Sequence, residues 1–396
     1  MREDNYFLNN IVIYILFLCC PDCIFRAFFL EDSMKDEKYM KLCLELAKKA
    51  TGYVSPNPLV GAVIVKDGEI ISTGYHKKYG DLHAEVDAIN NAKEDLEGTT
   101  MYVNLEPCSH YGSQPPCVKK IIEAKIKRVV IGVKDPNPLV AGRGIKELTD
   151  HGIEVRVGVL EDECLELNKI FFYFITKNLP YVAMKFAMSL DGKIATSTGD
   201  SKWISGEFSR RHVHKLRLKY SAIMVGIGTV LADNPMLDCR LPNETKNPIR
   251  VICDSNLRTP LDSKIANSAH RVKTIIATSR DNENSDKIAA YKEKGIEFIF
   301  LGNSGLGIDI HELFVELGKR KIDSVFVEGG GTLNSSVMQT GLLNKVYVYM
   351  APILIGGKDA KSPICGLGIP YLKDAIKLKD LSVTNIGSDF LIEGEV

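Results

Sequence analysis

The stretch LHAEVDAIN, residues 82–90, sets an imidazole and a carboxylate, His83 and Glu85, at the head of an apolar-periodic run. Alone, the pair reads as an ordinary helix start, because acidic side chains favour the first turn for dipole reasons. A second stretch changes that reading. EPCSHYGSQPPC, residues 106–117, carries Cys108 and Cys117, each directly after a proline. Proline suits the position just before or at the first turn of a helix. Cys117 is therefore predicted at a helix N-terminus, where the dipole favours a thiolate. One imidazole and two thiolates make three zinc ligands and leave a fourth position for water, the pattern of a catalytic site. Zinc lowers the pKa of bound water toward neutrality. Glu85 need not be a ligand and can move protons between that water and a leaving amine. The bland alternative makes both cysteines small buried apolar residues.

Outward from these segments the elements alternate. A helix over about 36–51 leads through SPNPLVG into the strand GAVIVKD, a turn at Asp67-Gly68 and the return strand EIISTGYH, a hairpin with His76 at its solvated end. Strands TMYVNLEP, RVVIGVKD and EVRVGVL follow, separated by helical patterns, which argues for an α/β sheet covered by helices. The helical stretch 161–178 marks a domain boundary. Beyond it seven more candidate strands run from YVAMKFAMS to KVYVYMAPIL. The predicted domains are 34–178 and 179–396.

Fifty lysines and arginines balance fifty aspartates and glutamates. The chain therefore lacks the basic footprint of a nucleic-acid binder. Ten cysteines in 396 residues are too dilute for a disulfide framework, which points to a reduced, cytoplasmic setting. The apolar run Ile11–Cys20 is ten residues long, short of the roughly 20 that a spanning helix needs. The segment before it is not basic, unlike a signal peptide's. CPDC, Cys20–Cys23, has redox or metal spacing but no strand–helix context. Met34 opens an amphipathic pattern, so residues 1–33 are read as an extension outside the fold, with a targeting peptide or membrane anchor as the runner-up. No membrane partner is expected.

His-x-Glu followed by Pro-Cys and a second cysteine is the signature of zinc deaminases, in which two residues usually separate the cysteines. Here eight do. With that spacing, NPLVG (57–61), HAE (83–85), EPCSHYGSQPPC and DPNPLVAGRG (135–144) together resemble the deaminase domain of the bifunctional riboflavin-biosynthesis deaminase/reductase family. The resemblance implies a cytidine-deaminase-like domain, a mixed sheet covered by helices, followed by a dihydrofolate-reductase-like α/β domain. In that family a threonine usually precedes the Pro-Pro-Cys; Gln114 departs from it. Asn57 is the candidate for reading the pyrimidine edge, because an amide both donates and accepts. His110 is a candidate for lining the pocket, and the AGRG loop, 141–144, offers backbone N–H groups and Arg143 to a phosphate.

In the second half, SVFVEGGGTLNSSVMQTG (324–341) reads as strand, triple-glycine turn and helix. Such a turn admits a phosphate to the backbone and aims a helix dipole at it. MKFAMSLDGKIATSTGDSKWISG (184–206), HKLRLKYSAIMVGIGTVLADNPMLDCR (214–240) and PIRVICDS (248–255) resemble the same family's reductase domain, which uses NADPH. The resemblance implies cofactor contacts at Ala187, Trp203, Thr229, Asp233, Ser255, Gly330, Gly331 and Thr332. It implies substrate contacts at Ser201, Arg217, Leu237, Arg240 and Glu328, with Lys185 close to the reducing end of the substrate. Arg217 and Arg240 suit a ribose phosphate held by forked, charge-assisted hydrogen bonds. Trp203 suits packing on the nicotinamide, and Asp191 reads as a turn residue.

The implied activity is hydrolytic deamination of 2,5-diamino-6-(5-phosphoribosylamino)pyrimidin-4(3H)-one, then NADPH-dependent reduction of the ribosyl group to ribityl. The partners are small molecules, Zn2+ and NADPH; homo-oligomerisation is left open. The residues alone reach only zinc hydrolysis of an amine plus a phosphate- or dinucleotide-binding α/β domain. Two alternatives remain at this point. A tRNA-editing deaminase fused to a binding domain would carry a basic stripe, and a structural-zinc module would need a fourth protein ligand such as His110.

Overall fold

GAVIVK, TMYVNL and RVVIGV are apolar almost throughout, and they form the buried middle of a five-stranded sheet. The computed structural model describes residues 21–111, 115–137, 141–305 and 307–396, with side chains from Ser33 onward. The run Ile11–Cys20, Gln114, residues 138–140 and the CPDC side chains lie outside the described residues. Two compact units result: one runs to Ala50 and then from Pro58 to Lys169, the other comprises Thr51–Asn57 and Ile170–Val396.

In the first unit, α1 (Pro21–Lys48) precedes β1 (Gly61–Lys66), β2 (Glu69–Tyr75), α2 (Ala84–Asn91), β3 (Thr100–Leu105) and α3 (Cys117–Glu123). β4 (Arg128–Val133), α4 (Arg143–Asp150), β5 (Glu154–Val157) and α5 (Glu161–Leu167) complete it. The sheet order is β2-β1-β3-β4-β5. β1 is antiparallel to both neighbours, and β3, β4 and β5 run parallel. The predicted hairpin forms at Asp67 and Gly68, both at positive φ, as a two-residue turn matched to strand twist requires. α1 is unbroken from Pro21, so Met34 lies inside an element rather than at its start.

Asp36 ties α1 to three strands. Its carboxylate is 1% exposed. It accepts two N–H groups from Arg128 at 2.9 Å each, one from Arg156 at 2.8 Å and the hydroxyl of Tyr102 at 2.9 Å.

The 161–178 stretch is two helices, α5 and α6 (Lys169–Lys177), parted at Asn168. The Asn168 side chain turns inward, accepting from Leu59 N at 2.8 Å and donating to Leu59 O at 3.0 Å. Ile170 and Tyr173 of α6 pack on the second unit's core, against Tyr181, Val213 and Phe326 among others. That unit contains β6 (Tyr181–Ser189), α7 (Glu207–Lys219), β7 (Ala222–Gly226), α8 (Ile227–Asp233), β8 (Ile249–Cys253), β9 (Thr274–Ser279) and β10 (Ile296–Leu301). After the small hairpin β11 (Asn303–Ser304) and β12 (Gly307–Ile308) come β13 (Ser324–Val327), β14 (Leu343–Ala351), β15 (Lys379–Ile386) and β16 (Asp389–Glu395). The main sheet, ordered β10-β9-β8-β7-β13-β6-β14-β16-β15, has nine strands among the described residues, against seven predicted. The additional pair β15–β16 is an antiparallel edge hairpin. β15 is exposed along nearly its whole length and so carries no buried pattern to read. From β10 to β14 the ladder is parallel, and ligands bind such sheets outside the carboxyl ends of the strands.

Replacing Asp36 by Asn should destabilise the first unit. Breaking a buried ion pair costs about 3–5 kcal/mol; partial exposure of both arginines lowers the expectation to about 2 kcal/mol. Denaturant unfolding followed in the first unit should show that loss, while the second unit's transition stays in place.

Candidate functional site

The first unit brings its predicted ligands together. His83 is the N-cap residue of α2 and Cys117 the first residue of α3. Cys108 stands on the loop leaving β3. His83 Nδ1 lies 3.5 Å from Cys108 Sγ and 3.3 Å from Cys117 Sγ, and the three donor atoms fall within 4.8 Å of one another. Two soft thiolates and an imidazole at that spacing fit zinc. Cys117 N donates to Cys108 Sγ at 3.4 Å. Its contacts with Cys117, then with His83, hold the Cys108 thiol down to about 4, while Cys108 and burial push Cys117 up. Among the described residues no fourth protein ligand joins the cluster, and His110 is exposed.

Glu85 follows on the first turn of α2, 4% exposed, with burial pushing its carboxyl up to about 6. His76 differs from its expected solvated place. It is buried, its Nδ1 is 2.9 Å from Leu82 O, and its ring meets that of His83 edge-on at 5.6 Å. The chain after β2 turns inward against the segment before α2. Asn57 sits half-buried in the turn 51–57, its backbone N–H donating to Val54 O at 2.8 Å.

Glu106, unremarked in the sequence, organises the loop that carries Cys108. Its buried carboxylate accepts from Asp135 N (3.2 Å), Gly142 N (3.0 Å), Gly144 N (3.0 Å) and Ile145 N (3.2 Å). Of the AGRG donors proposed for a phosphate, the N–H groups of Gly142 and Gly144 are thus taken by the protein's own anion at the start of α4. A Cβ on Gly144 would lie 2.1 Å from Pro107 O, so only glycine permits the approach.

In the second unit a cleft of about 1100 Å³ opens at the carboxyl ends of β6, β7, β8 and β13. Every reductase residue expected from sequence lines it: Lys185, Ala187, Ser201, Trp203, Arg217, Thr229, Asp233, Leu237, Arg240, Ser255, Glu328, Gly330, Gly331 and Thr332. Trp203 is 71% exposed, under the Arg210 guanidinium at 4.6 Å, and so is not a core residue. The three glycines are not equivalent. A Cβ on Gly331 would strike Cys365 Sγ at 2.3 Å and one on Gly329 would meet Leu333 at 2.9 Å, whereas one on Gly330 would meet nothing within 4 Å. Only Gly330 offers bare backbone to open space.

The two arginines also diverge. Arg217 Nε and Nη2 donate to Glu328 at 2.6 and 3.1 Å, and Nη1 donates to Asp238 O at 2.9 Å. Three of its five N–H groups are thus engaged inside the protein. Arg240 remains an exposed cation at the cleft. Lys185 Nζ lies 3.9 Å from Glu328. Burial lowers the Lys185 pKa; burial raises that of Glu328, but Arg217 and Lys185 outweigh it and bring it down. Asp191 is a turn residue whose carboxylate accepts from Ser189 Oγ, Ile355 N and Gly356 N. Sequence reasoning passed over Lys361, Ser362 and Cys365, which line the cleft from a segment without helix or strand pattern, and His214.

Comparison with known proteins agrees with this division. Residues 180–392 match the RibD C-terminal domain, and residues 33–133 match the cytidine and deoxycytidylate deaminase zinc-binding region. The riboflavin biosynthesis protein RibD of Actinobacillus pleuropneumoniae is 50% identical over 361 residues, covering 91% of this chain and 95% of its own. That of Escherichia coli is 39% identical over 370 residues, covering 90% and 98%. A solved diaminohydroxyphosphoribosylaminopyrimidine deaminase/5-amino-6-(5-phosphoribosylamino)uracil reductase from Thermotoga maritima is 39% identical, with a TM-score of 0.82 over 92% of this chain and 99% of its own.

Zinc content should track both the ligands and the loop behind them. Cys108→Ser should lose most of the metal measured by elemental analysis. Gly144→Ala, which removes no ligand, should lower zinc affinity about 10- to 100-fold, the range seen when outer-shell support is removed.

Proposed function

The chain belongs to the RibD family of bifunctional riboflavin-biosynthesis deaminase/reductases, and from that premise we propose how its residues divide the work. The first unit hydrolyses the exocyclic amine of 2,5-diamino-6-(5-phosphoribosylamino)pyrimidin-4(3H)-one. The observation that carries this reading is the cluster of His83, Cys108 and Cys117 beside a buried Glu85, with no fourth protein ligand among the described residues. Zinc held by those three side chains supplies the Lewis acidity that makes water a nucleophile at neutral pH. Glu85 takes the two protons of the attacking water in turn, passing one to the ring nitrogen beside the attacked carbon and one to the amine, which departs as ammonia and leaves a carbonyl. His110, exposed on the Cys108 loop, contributes at the rim.

The second unit reduces the ribosyl group of the deaminated product. NADPH, bound by Ala187, Trp203, Thr229, Asp233, Ser255 and the turn Gly330–Thr332, supplies the hydride. Ser201, Leu237 and Arg240 hold the substrate, with Arg240 on its phosphate. Lys185 lies close to the sugar's reducing end, facing a Glu328 carboxylate that Arg217 also holds. The fork on Glu328 leaves that carboxylate charge-compensated, so it does not repel an anionic substrate. We also read the enzyme as cytoplasmic. The cysteines with described side chains are free thiols, and among the described residues no helix is long and apolar enough to cross a membrane.

Glu85→Gln keeps side-chain size and removes the proton carrier. It should retain zinc and lose deamination by about 10²–10⁴-fold, while reduction of already deaminated substrate stays unchanged. Ammonia release and NADPH consumption, measured separately, check both arms; a loss below about tenfold removes Glu85 from the mechanism. Arg240→Ala should raise the KM for the reductase substrate by about 10-fold or more with little change in the KM for NADPH. A defect confined to NADPH would mean that the phosphate lies elsewhere.

A further inference from the structure

His214 lies on α7, half-buried at the wall of the reductase cleft, one helical turn before Arg217. Its Nδ1 accepts the backbone N–H of Arg240 at 3.2 Å. A ring nitrogen that accepts carries no proton, so the neutral imidazole holds its proton on Nε2. Nε2 in turn stands 3.4 Å from Arg240 Nη2. A guanidinium can only donate. Two donors therefore face each other with no acceptor between them.

Protonating both ring nitrogens would not relieve this. It would break the bond to the Arg240 backbone and place a third cation beside Arg217 and Arg240. Burial, and then those two arginines, already hold the imidazole below its usual pKa, with Glu328 and Asp238 opposing. The remaining neighbour of Arg240, Asp238 Oδ1, is 3.2 Å from Nη1 but lacks hydrogen-bond geometry, and that oxygen has no hydrogen-bond partner. The two donors await an oxygen that can accept from both.

We propose that His214 is a second anchor for the substrate phosphate, donating from Nε2 alongside the Arg240 guanidinium to a shared phosphate oxygen. The proposal rests on the reading that Arg240 holds the phosphate. It adds a neutral, tautomer-fixed donor whose other nitrogen keeps the Arg240 backbone in place. A dianionic phosphate oxygen matches this pair better than a hydroxyl, because charge-assisted bonds from both donors form at once.

The test uses the full chain, the deaminated substrate and ribose 5-phosphate as a competing probe, with ribose as the phosphate-free control. In His214→Asn the amide oxygen can stand where Nδ1 accepts, but nothing reaches the Nε2 position. The substrate KM and the ribose 5-phosphate Ki should rise about tenfold or more, while the KM for NADPH, inhibition by ribose and the deamination rate hold. His214→Gln, whose amide nitrogen reaches the Nε2 position, should recover part of the loss. The inference is overturned if Arg240→Ala weakens ribose 5-phosphate while His214→Asn does not, or if Gln binds the probe no better than Asn. If Arg240→Ala itself leaves ribose 5-phosphate inhibition unchanged, the placement of the phosphate fails, and this inference with it.

Discussion

The deaminase half depends on one buried anion. Glu106 follows directly on β3, two residues before the first cysteine, and its carboxylate gathers N–H groups from the segment that leaves β4 and enters α4. Three of those donors, on Gly142, Gly144 and Ile145, are ones a helix start leaves unsatisfied, and a buried donor without a partner costs about 1–3 kcal/mol. The charge and the donors therefore stabilise one another, and Glu106 ties Asp135, Gly142, Gly144 and Ile145 to the segment that carries the first cysteine. Cys108 inherits its position from those contacts. Cys117 and His83 come from helix starts packed on the same sheet, so two of the three donor atoms are set by secondary structure and the third by the Glu106 contacts.

The reductase cleft solves a different electrostatic problem. It must accept an anion, yet a carboxylate, Glu328, lies in its floor. Arg217 takes that charge up with two hydrogen bonds, and Lys185 approaches it from the adjoining strand. The cluster is close to self-compensated, which leaves the other cations that line the cleft, Arg240 among them, to set the potential at the mouth. Buried charges arranged this way cost little so long as every partner is present, and removing one strands the rest.

Much of this was legible in the residues. His83, Glu85, Cys108 and Cys117 declared themselves because metal chemistry restricts residue type, and helix starts restrict spacing. The strands of both sheets declared themselves wherever they are buried on both faces. The rest was hidden for identifiable reasons. β15 is exposed and carries no pattern; α5 and α6 share one helical period, and only Asn168's inward side chain parts them. Glu106 looks like any acidic residue until its loop is folded around it. Arg217 and Arg240 are the same residue type, and only tertiary contact shows that one is buried against Glu328 while the other is exposed.

The glycine turn after β13 shows how identical letters can answer to different demands. Position 331 is closed by the protein itself, since the Cys365 segment presses against it. A side chain there is barred in the empty and the loaded cleft alike. Position 330 faces space that the fold leaves open, so what bars a side chain there is whatever the cleft holds. One glycine is a condition of folding, and its loss would be felt in stability. Its neighbour is a condition of occupancy, and its loss would leave a well-folded protein with a narrower choice of ligand.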